Sequence, residues 1–176
     1  MGQGKTIWFT GLSGAGKSTL AVGLSNVLRE QGEKPVILDG DELRATVSSD
    51  LGFSNADRIE QNRRAANIAK LLNAQGITVI AALISPTHEI QQLVRTIIGD
   101  SHCYFVHVDC GIEACINRDV KSLYKSQEYQ VKKEFTGIHQ PYEAPATPWL
   151  RIDTEHHNLS ASLAQLEAAY KNTFQQ

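Results

Sequence analysis

The sequence predicts an α/β fold of three layers, a central parallel sheet with helices on both faces. Three observations carry this. Short apolar runs alternate with longer helical patterns along the whole chain. The run from Ile77 to Leu83 is almost continuously apolar, as expected of a strand buried on both faces. A glycine-rich turn, Gly11 to Gly16, separates the first apolar run from the first helical pattern.

The elements follow in order. Lys5 to Thr10 reads as the first strand, and the helix after it runs from about Lys17 to Gln31, stopping near Gly32. Pro35 to Asp39 is the second strand. A long helix begins after Ser54, where Ser54-x-x-Asp57 has capping-box spacing, with Ile68, Leu71 and Leu72 as its expected buried stripe and Gly76 as its end. Ile77 to Leu83, Cys103 to Asp109 and Leu150 to Asp153 supply the third, fourth and fifth strands. Leu159, Leu163, Leu166, Tyr170 and Phe174 place one face of a final helix on the sheet.

Bulk properties bound the function. At 176 residues the chain is the size of one domain, taken here as residues 1–176. A formal net charge of -2 argues against a general nucleic-acid binder, which needs a basic excess. No stretch approaches the roughly 20 apolar residues of a membrane span, and the amino terminus lacks a leader pattern, so a cytoplasmic protein is expected. Cys103, Cys110 and Cys115 are odd in number and lack metal-ligand spacing; they read as buried thiols.

Gly11-Leu12-Ser13-Gly14-Ala15-Gly16-Lys17-Ser18 fits G-x-x-x-x-G-K-[ST] in full, between a strand and a helix. Glycines let backbone N–H groups turn inward and approach phosphate oxygens, and the following helix offers its positive end to the same anion. Lys17 supplies a charge between the β- and γ-phosphates of ATP, and the Ser18 hydroxyl takes a place on Mg²⁺. No N-K-x-D string of a guanine-specific loop is present, and the chain is short for an oligomeric ATPase core, which leaves a small-molecule kinase. The expected architecture is therefore a P-loop nucleotide-kinase fold with a lid.

On the acceptor side, Leu38-Asp39-Gly40-Asp41-Glu42-Leu43-Arg44 closes the second strand, where ligands of open α/β sheets gather. Asp39 and Asp41 are each candidates for general base or for holding magnesium through water, and each also fits a plain helix cap. Arg44 is a candidate anion ligand, and Phe53 is either a platform for a base or part of the core. Arg58 sits in the first turn of a helix, where the dipole favours an acid; an arginine there hints at a bound anion. Between Arg118 and Pro148 the rhythm breaks: Lys121, Lys125, Lys132, Lys133, Phe135-Thr136-Gly137 and three prolines form a long excursion read as a lid over phosphates, spanning about 118–148.

These strings resemble the adenylyl-sulfate kinase (APS kinase) family. The matching segments are Gly11 to Thr19, Leu38-Asp39-Gly40-Asp41 with Arg44, Asp50-Leu51-Gly52-Phe53-Ser54 with Asp57-Arg58, Ile84-Ser85-Pro86, Arg118-Asp119, Leu123-Tyr124-Lys125, Phe135-Thr136-Gly137-Ile138 and Pro141-Tyr142-Glu143. The resemblance implies transfer of the γ-phosphate of ATP, with Mg²⁺, to the ribose 3′-hydroxyl of adenylyl sulfate. ATP would lie on Gly11, Ser13, Gly14, Ala15, Gly16, Lys17, Ser18 and Thr19, with Arg118 over its base. Phe53 and Phe135 would sandwich the acceptor's base, Arg44 and Arg58 would bind its phosphosulfate, and Gln61, Ile84 and Ser85 would line its site. Asp41 would be the base for the hydroxyl, with Asp39 and Ser18 near the metal, and Lys121 would approach the transferred phosphate. The family is commonly dimeric, so a homodimer is expected.

The departures fall on the acceptor and lid side. Gln61 stands where the family has Asn, and His88 where it has Arg, two changes expected to loosen the fit to adenylyl sulfate. Asp119-Val120-Lys121-Ser122 lacks the usual glycine, and Ser126-Gln127-Glu128-Tyr129-Gln130 replaces a basic, alanine-rich stretch. Two alternatives accompany the main reading: a 3′-hydroxyl kinase of another nucleotide, such as a cytidine diphosphoramidate, and a nucleotide-binding regulatory module without turnover.

Overall fold

A computed structural model describes residues 4–118, 136–137 and 140–175. Five strands form one parallel sheet: β1 (Thr6–Thr10), β2 (Val36–Asp39), β3 (Val79–Ala82), β4 (Cys103–Asp109) and β5 (Leu150–Asp153), in the order β2-β3-β1-β4-β5. The helices are α1 (Lys17–Glu30), α2 (Gly40–Ala45), α3 (Asn55–Ala74), α4 (His88–Ile98), α5 (Ile112–Arg118) and α6 (Leu159–Phe174).

Side chains that alternate along a strand enter opposite layers. In β1, Ile7 and Phe9 join a core with Leu20, Leu24, Leu28 and Leu166 from α1 and α6. Trp8 between them joins the other core, with Ala65, Ala66 and Ala69 of α3 and Val94 of α4. The three-layer expectation therefore holds, and every strand ends within one or two residues of its expected position. Cys103, Cys110 and Cys115 are free and buried, and burial pushes the Cys103 and Cys115 thiols up to about 12.

Helix α3 corrects one expectation. Its capping box forms as foreseen, the Ser54 hydroxyl accepting from Asp57 N and the Asp57 carboxylate accepting from Ser54 N. Its buried face, however, is made of Ala65, Ala66 and Ala69 with the polar residues Arg58, Gln61, Asn62 and Asn73. Leu71 is 70% exposed, while Ile68 and Leu72 only border the core. Small side chains let the helix lie close to the sheet, and its polar face is thereby committed to other contacts. Helix α4 is absent from the expected elements, although Thr87 caps it and Ile90, Val94 and Ile98 bury one face at four-residue spacing. Of the final helix, Leu166 and Tyr170 are buried as expected, whereas Leu159 is 48% exposed.

Candidate active site

The carboxyl ends of β1, β2 and β3 open into a cleft with a cavity volume of about 220 Å³. Its donor wall is the loop between β1 and α1. Gly11 lies so close to β4 that a Cβ there would stand 2.5 Å from the Val108 carbonyl oxygen, so only glycine lets the loop start. Gly16, the N-cap of α1, has φ 103°, and a Cβ on it would meet nothing within 4 Å. The first turn of α1 thus faces the cleft without a side chain in front of it. Ser13, Gly14, Gly16, Lys17, Ser18 and Thr19 line this wall, with Gly11 and Ala15 buried beneath it. The Lys17 ammonium donates to the carbonyls of Gly11 (2.9 Å) and Leu12 (2.8 Å), curling back over the loop.

Asp39 and Asp41, whose roles the sequence left open, occupy different positions. Asp39 ends β2 and caps α2: its Oδ1 accepts from Asp41 N at 2.9 Å. Its Oδ2 accepts the Ser18 hydroxyl at 2.5 Å. The cap and the functional placement are therefore one arrangement, and it joins the acceptor turn to the donor loop. Asp41 sits one residue inside α2, exposed and lining the cleft. Among the described residues no cluster of three or more His, Cys, Asp or Glu could hold a metal by itself. Ser18 and Asp39 are instead a pair of hard oxygen donors beside a phosphate loop. Such a sparse set suits Mg²⁺, which keeps several waters and completes its shell with substrate phosphates.

The acceptor wall gathers Arg44 from α2, Phe53 from the following loop, Arg58, Gln61 and Asn62 from α3, and Ile84, Ser85 and Pro86 beyond β3. The Arg44 guanidinium carbon lies 4.5 Å from the centroid of the Phe53 ring, and its Nη1 donates to the Gly52 carbonyl at 2.5 Å. Arg58 is buried: its Nε donates to the Phe53 carbonyl (2.9 Å) and its Nη1 to the Thr136 hydroxyl (2.5 Å). Those two bonds fix the guanidinium at the edge of the cleft. Thr136, also buried and lining the cleft, was legible only as part of the Phe135-Thr136-Gly137 string. Phe135 and Lys121 lie outside the described residues.

The two acceptor-side departures differ in placement, Gln61 lining the cleft as expected and His88 not. Gln61 uses its extra length to donate from Nε2 to the Gly40 carbonyl at 2.7 Å, bracing the turn between Asp39 and Asp41. Its Oε1 is buried without a hydrogen-bond partner among the described residues. His88 stands outside the cleft lining: its backbone N–H donates to the Glu143 carboxylate at 2.6 Å and its ring nitrogen Nε2 contacts the Ala144 carbonyl at 2.8 Å. Among the described residues, these contacts join His88 to the segment around Glu143 and Ala144. Part of the segment expected as a lid is also tied down. Glu143 N donates to the Pro86 carbonyl, Gln91 Nε2 to the Glu143 carbonyl, and Arg95 to the Thr147 carbonyl.

Arg118 lies away from the cleft lining, at the end of α5, where its Nη2 donates to the Thr154 carbonyl at 2.5 Å. Thr154 in turn donates from Oγ1 to the Ala15 carbonyl at 2.8 Å, linking the donor loop to β5. Sequence reading missed Thr154; a threonine just past a strand gives no distinct signal. No helix among the described residues is long and apolar enough to cross a membrane.

The comparisons agree with this geometry. Residues 3–153 match the family model for adenylylsulphate kinase. The chain is 43% identical over 160 residues to the adenylyl-sulfate kinase of Staphylococcus epidermidis, covering 91% of this chain and 80% of that one. It is 44% identical over 160 residues to the adenylyl-sulfate kinase of Bacteroides thetaiotaomicron, with the same coverage. Among solved structures, the APS kinase of Mycobacterium tuberculosis in complex with AMPPNP and APS superposes with a TM-score of 0.91 at 37% identity, covering 97% of this chain and 99% of that one. The chain belongs to the adenylylsulphate kinase family.

Proposed function

We propose that the protein transfers the γ-phosphoryl group of ATP to the ribose 3′-hydroxyl of adenylyl sulfate, yielding 3′-phosphoadenylyl sulfate and ADP. The observation that carries this reading is a continuous cleft that joins the phosphate loop to Asp39, Asp41 and the Arg44–Phe53–Arg58 wall. One end is built for a triphosphate and the other for a flat base with an anionic tail. A bond forms between the acceptor's 3′-oxygen and the γ-phosphorus, and the bond from that phosphorus to the β,γ-bridging oxygen breaks.

The residues divide the work. Gly14, Gly16 and the first turn of α1 bind the phosphates through backbone N–H groups. Lys17, whose ammonium donates to the Gly11 and Leu12 carbonyls beside the phosphate loop, neutralises charge that develops on the transferring group. Asp39 orients the Ser18 hydroxyl so that the proton points to the carboxylate and a lone pair faces the cleft. Ser18 and Asp39 are the residues that would hold Mg²⁺, directly or through water, and the ion would supply charge neutralisation for the transferring phosphate. Asp41 takes the proton of the 3′-hydroxyl. Arg44 and Arg58 receive the phosphosulfate by charge-assisted hydrogen bonds, and Phe53 with Phe135 receives the base. Lys121 and Arg118 complete the donor side as the family resemblance implies. The same resemblance supports a cytoplasmic homodimer.

Phosphorus NMR of a reaction with ATP, Mg²⁺ and adenylyl sulfate tests the proposal. The expected product carries one new phosphomonoester at the 3′ position. A 2′-phosphate, or ATP hydrolysis without acceptor phosphorylation, contradicts it.

A further inference from the structure

Among the described residues, Ser85 is the sole non-glycine with a positive φ, 46°. A side-chain-bearing residue held there is strained, and such states persist only where the surroundings over-determine them. Ser85 is fully buried, lies directly after Ile84 and lines the cleft. Four groups hold it. Trp8 Nε1 donates to Ser85 Oγ at 2.8 Å, and Ser85 Oγ donates to Asn62 Oδ1 at 2.7 Å. Gln91 Nε2 donates to the Ser85 carbonyl at 3.1 Å, and Thr10 Oγ1 donates to the carbonyl of Ile84.

The direction of this chain is fixed by chemistry. An indole N–H only donates, so the Ser85 oxygen accepts and its own proton goes to Asn62. Asn62 then turns its Nδ2 to the Arg58 carbonyl, at 2.9 Å, an oxygen that only accepts. One buried, fully directed path therefore runs from β1 through the strained wall residue to the backbone of the buried arginine. Trp8 is wholly enclosed and hydrogen-bonds to the cleft lining through Ser85; its ring lies 6.1 Å from that of Phe105 between centroids.

We propose that Trp8 and Asn62 are positioning residues for the acceptor: they hold Ser85 in its left-handed conformation and so set the Ile84–Ser85 wall against Arg58. This inference rests on the functional reading above. It also accounts for the polar face of α3, since Asn62 occupies a position where an apolar residue would serve packing alone.

The test is a steady-state comparison of wild type, Asn62→Leu and Trp8→Phe, with KM measured separately for adenylyl sulfate and for ATP. Asn62→Leu keeps approximate volume and removes both hydrogen bonds; Trp8→Phe keeps an aromatic ring and removes the donor. KM for adenylyl sulfate should rise roughly tenfold, the scale of one buried hydrogen bond lost, while KM for ATP stays within about twofold. Equal rises in both constants, or an unchanged KM for adenylyl sulfate, overturn the inference, because a merely structural role does not distinguish the substrates. Should either variant fail to fold, Ser85→Ala, which breaks the path at its centre, is held to the same split. A wild-type protein that does not phosphorylate adenylyl sulfate overturns the functional reading itself, before any variant is compared.

Discussion

The donor side of the cleft is a run of consecutive residues from Gly11 to Thr19, whereas the acceptor side draws Asp41, Arg44, Phe53, Arg58 and Ser85 from four separate segments. The loop proposed to hold the donor is a backbone device. Its shape follows from glycines and from the close approach to Val108, and its lysine folds back onto carbonyls of the same loop. The wall proposed for the acceptor is made of side chains whose positions depend on partners far away in sequence: Arg58 on Thr136, Ser85 on Trp8 and Asn62, Gln61 on Gly40. A local backbone device tolerates drift elsewhere in the chain, while a wall of long-range contacts can be retuned by single changes.

Substitutions on the two sides should break this contrast in different ways, and the largest effect belongs to the donor side. Lys17→Ala should lower kcat by about 10³-fold, the scale of losing one preorganised electrostatic contact in a transition state. The fold should stay intact, because the Lys17 side chain lines the cleft and its ammonium donates to carbonyls of its own loop. Coupled assays of ADP release together with thermal unfolding check both halves; near-normal turnover would displace this loop as the donor site.

On the acceptor side of the same turn, Asp41→Asn should lower kcat by about 10²-fold, the usual scale for losing a general base. Its KM for ATP should hardly move, since the Asp39 cap accepts from the backbone of residue 41 and not from its side chain. If Asp39→Asn proves more harmful to proton transfer and Asp41→Asn is rescued by raised Mg²⁺, the two roles are exchanged.

A smaller effect concerns stability beside the cleft. Burial holds the His107 imidazole below its usual pKa, against the opposing influence of Asp109, and its ring stacks on Tyr142 at 6.0 Å. Because the folded protein resists protonation here, the unfolded chain binds more protons once pH falls below about 6.5. Stability should therefore be complete above that pH and decline as pH falls through the folded value. His107→Gln should flatten the decline between about pH 6.5 and 5 in thermal melts; an unchanged slope would show that the imidazole is not its source.

The smallest effect is expected on the solvent face of α3. Arg63 and Arg64 hold the Glu60 carboxyl down to about 2, and Arg64 also holds Asp50 below the usual range. The stabilisation from these depressed groups is present above their ordinary values near about 4 and is lost as pH falls through the folded ones. The Arg63 pair is exposed and the Arg64 pair only part-buried, so Glu60→Gln should cost no more than about 1 kcal/mol at neutral pH and low salt. That difference should shrink in high salt and vanish near about pH 2. A salt-independent loss would mean that Glu60 acts by packing.

How much of this was legible in the sequence follows the same division. The loop from Gly11 to Ser18, the succession of strands along the chain and the Ser54–Asp57 cap are local patterns, and each appears where the spacing put it. The face of α3 was misread because Leu71 looks like core by type, whereas three alanines do the packing against the sheet. Helix α4 was overlooked although Thr87 and the Ile90, Val94, Ile98 spacing mark it. The Asp39 bond to Ser18 spans 21 positions and the Trp8 bond to Ser85 spans 77, both joined by side-chain geometry. No spacing rule reaches that far. Gln61 shows the same limit: its residue type marked a departure, but only the fold reveals that the added length meets the Gly40 carbonyl.

The central claim, that this wall is shaped for adenylyl sulfate, is tested most directly by kcat/KM for two acceptors at saturating ATP. Adenylyl sulfate and a cytidine diphosphoramidate both offer a ribose 3′-hydroxyl, a flat base and a polar tail, so the comparison isolates the acceptor wall from the shared donor chemistry. The expected result is a preference for adenylyl sulfate of tenfold or more, equivalent to about 1.4 kcal/mol in transition-state binding. A preference of that size for the cytidine compound would contradict it.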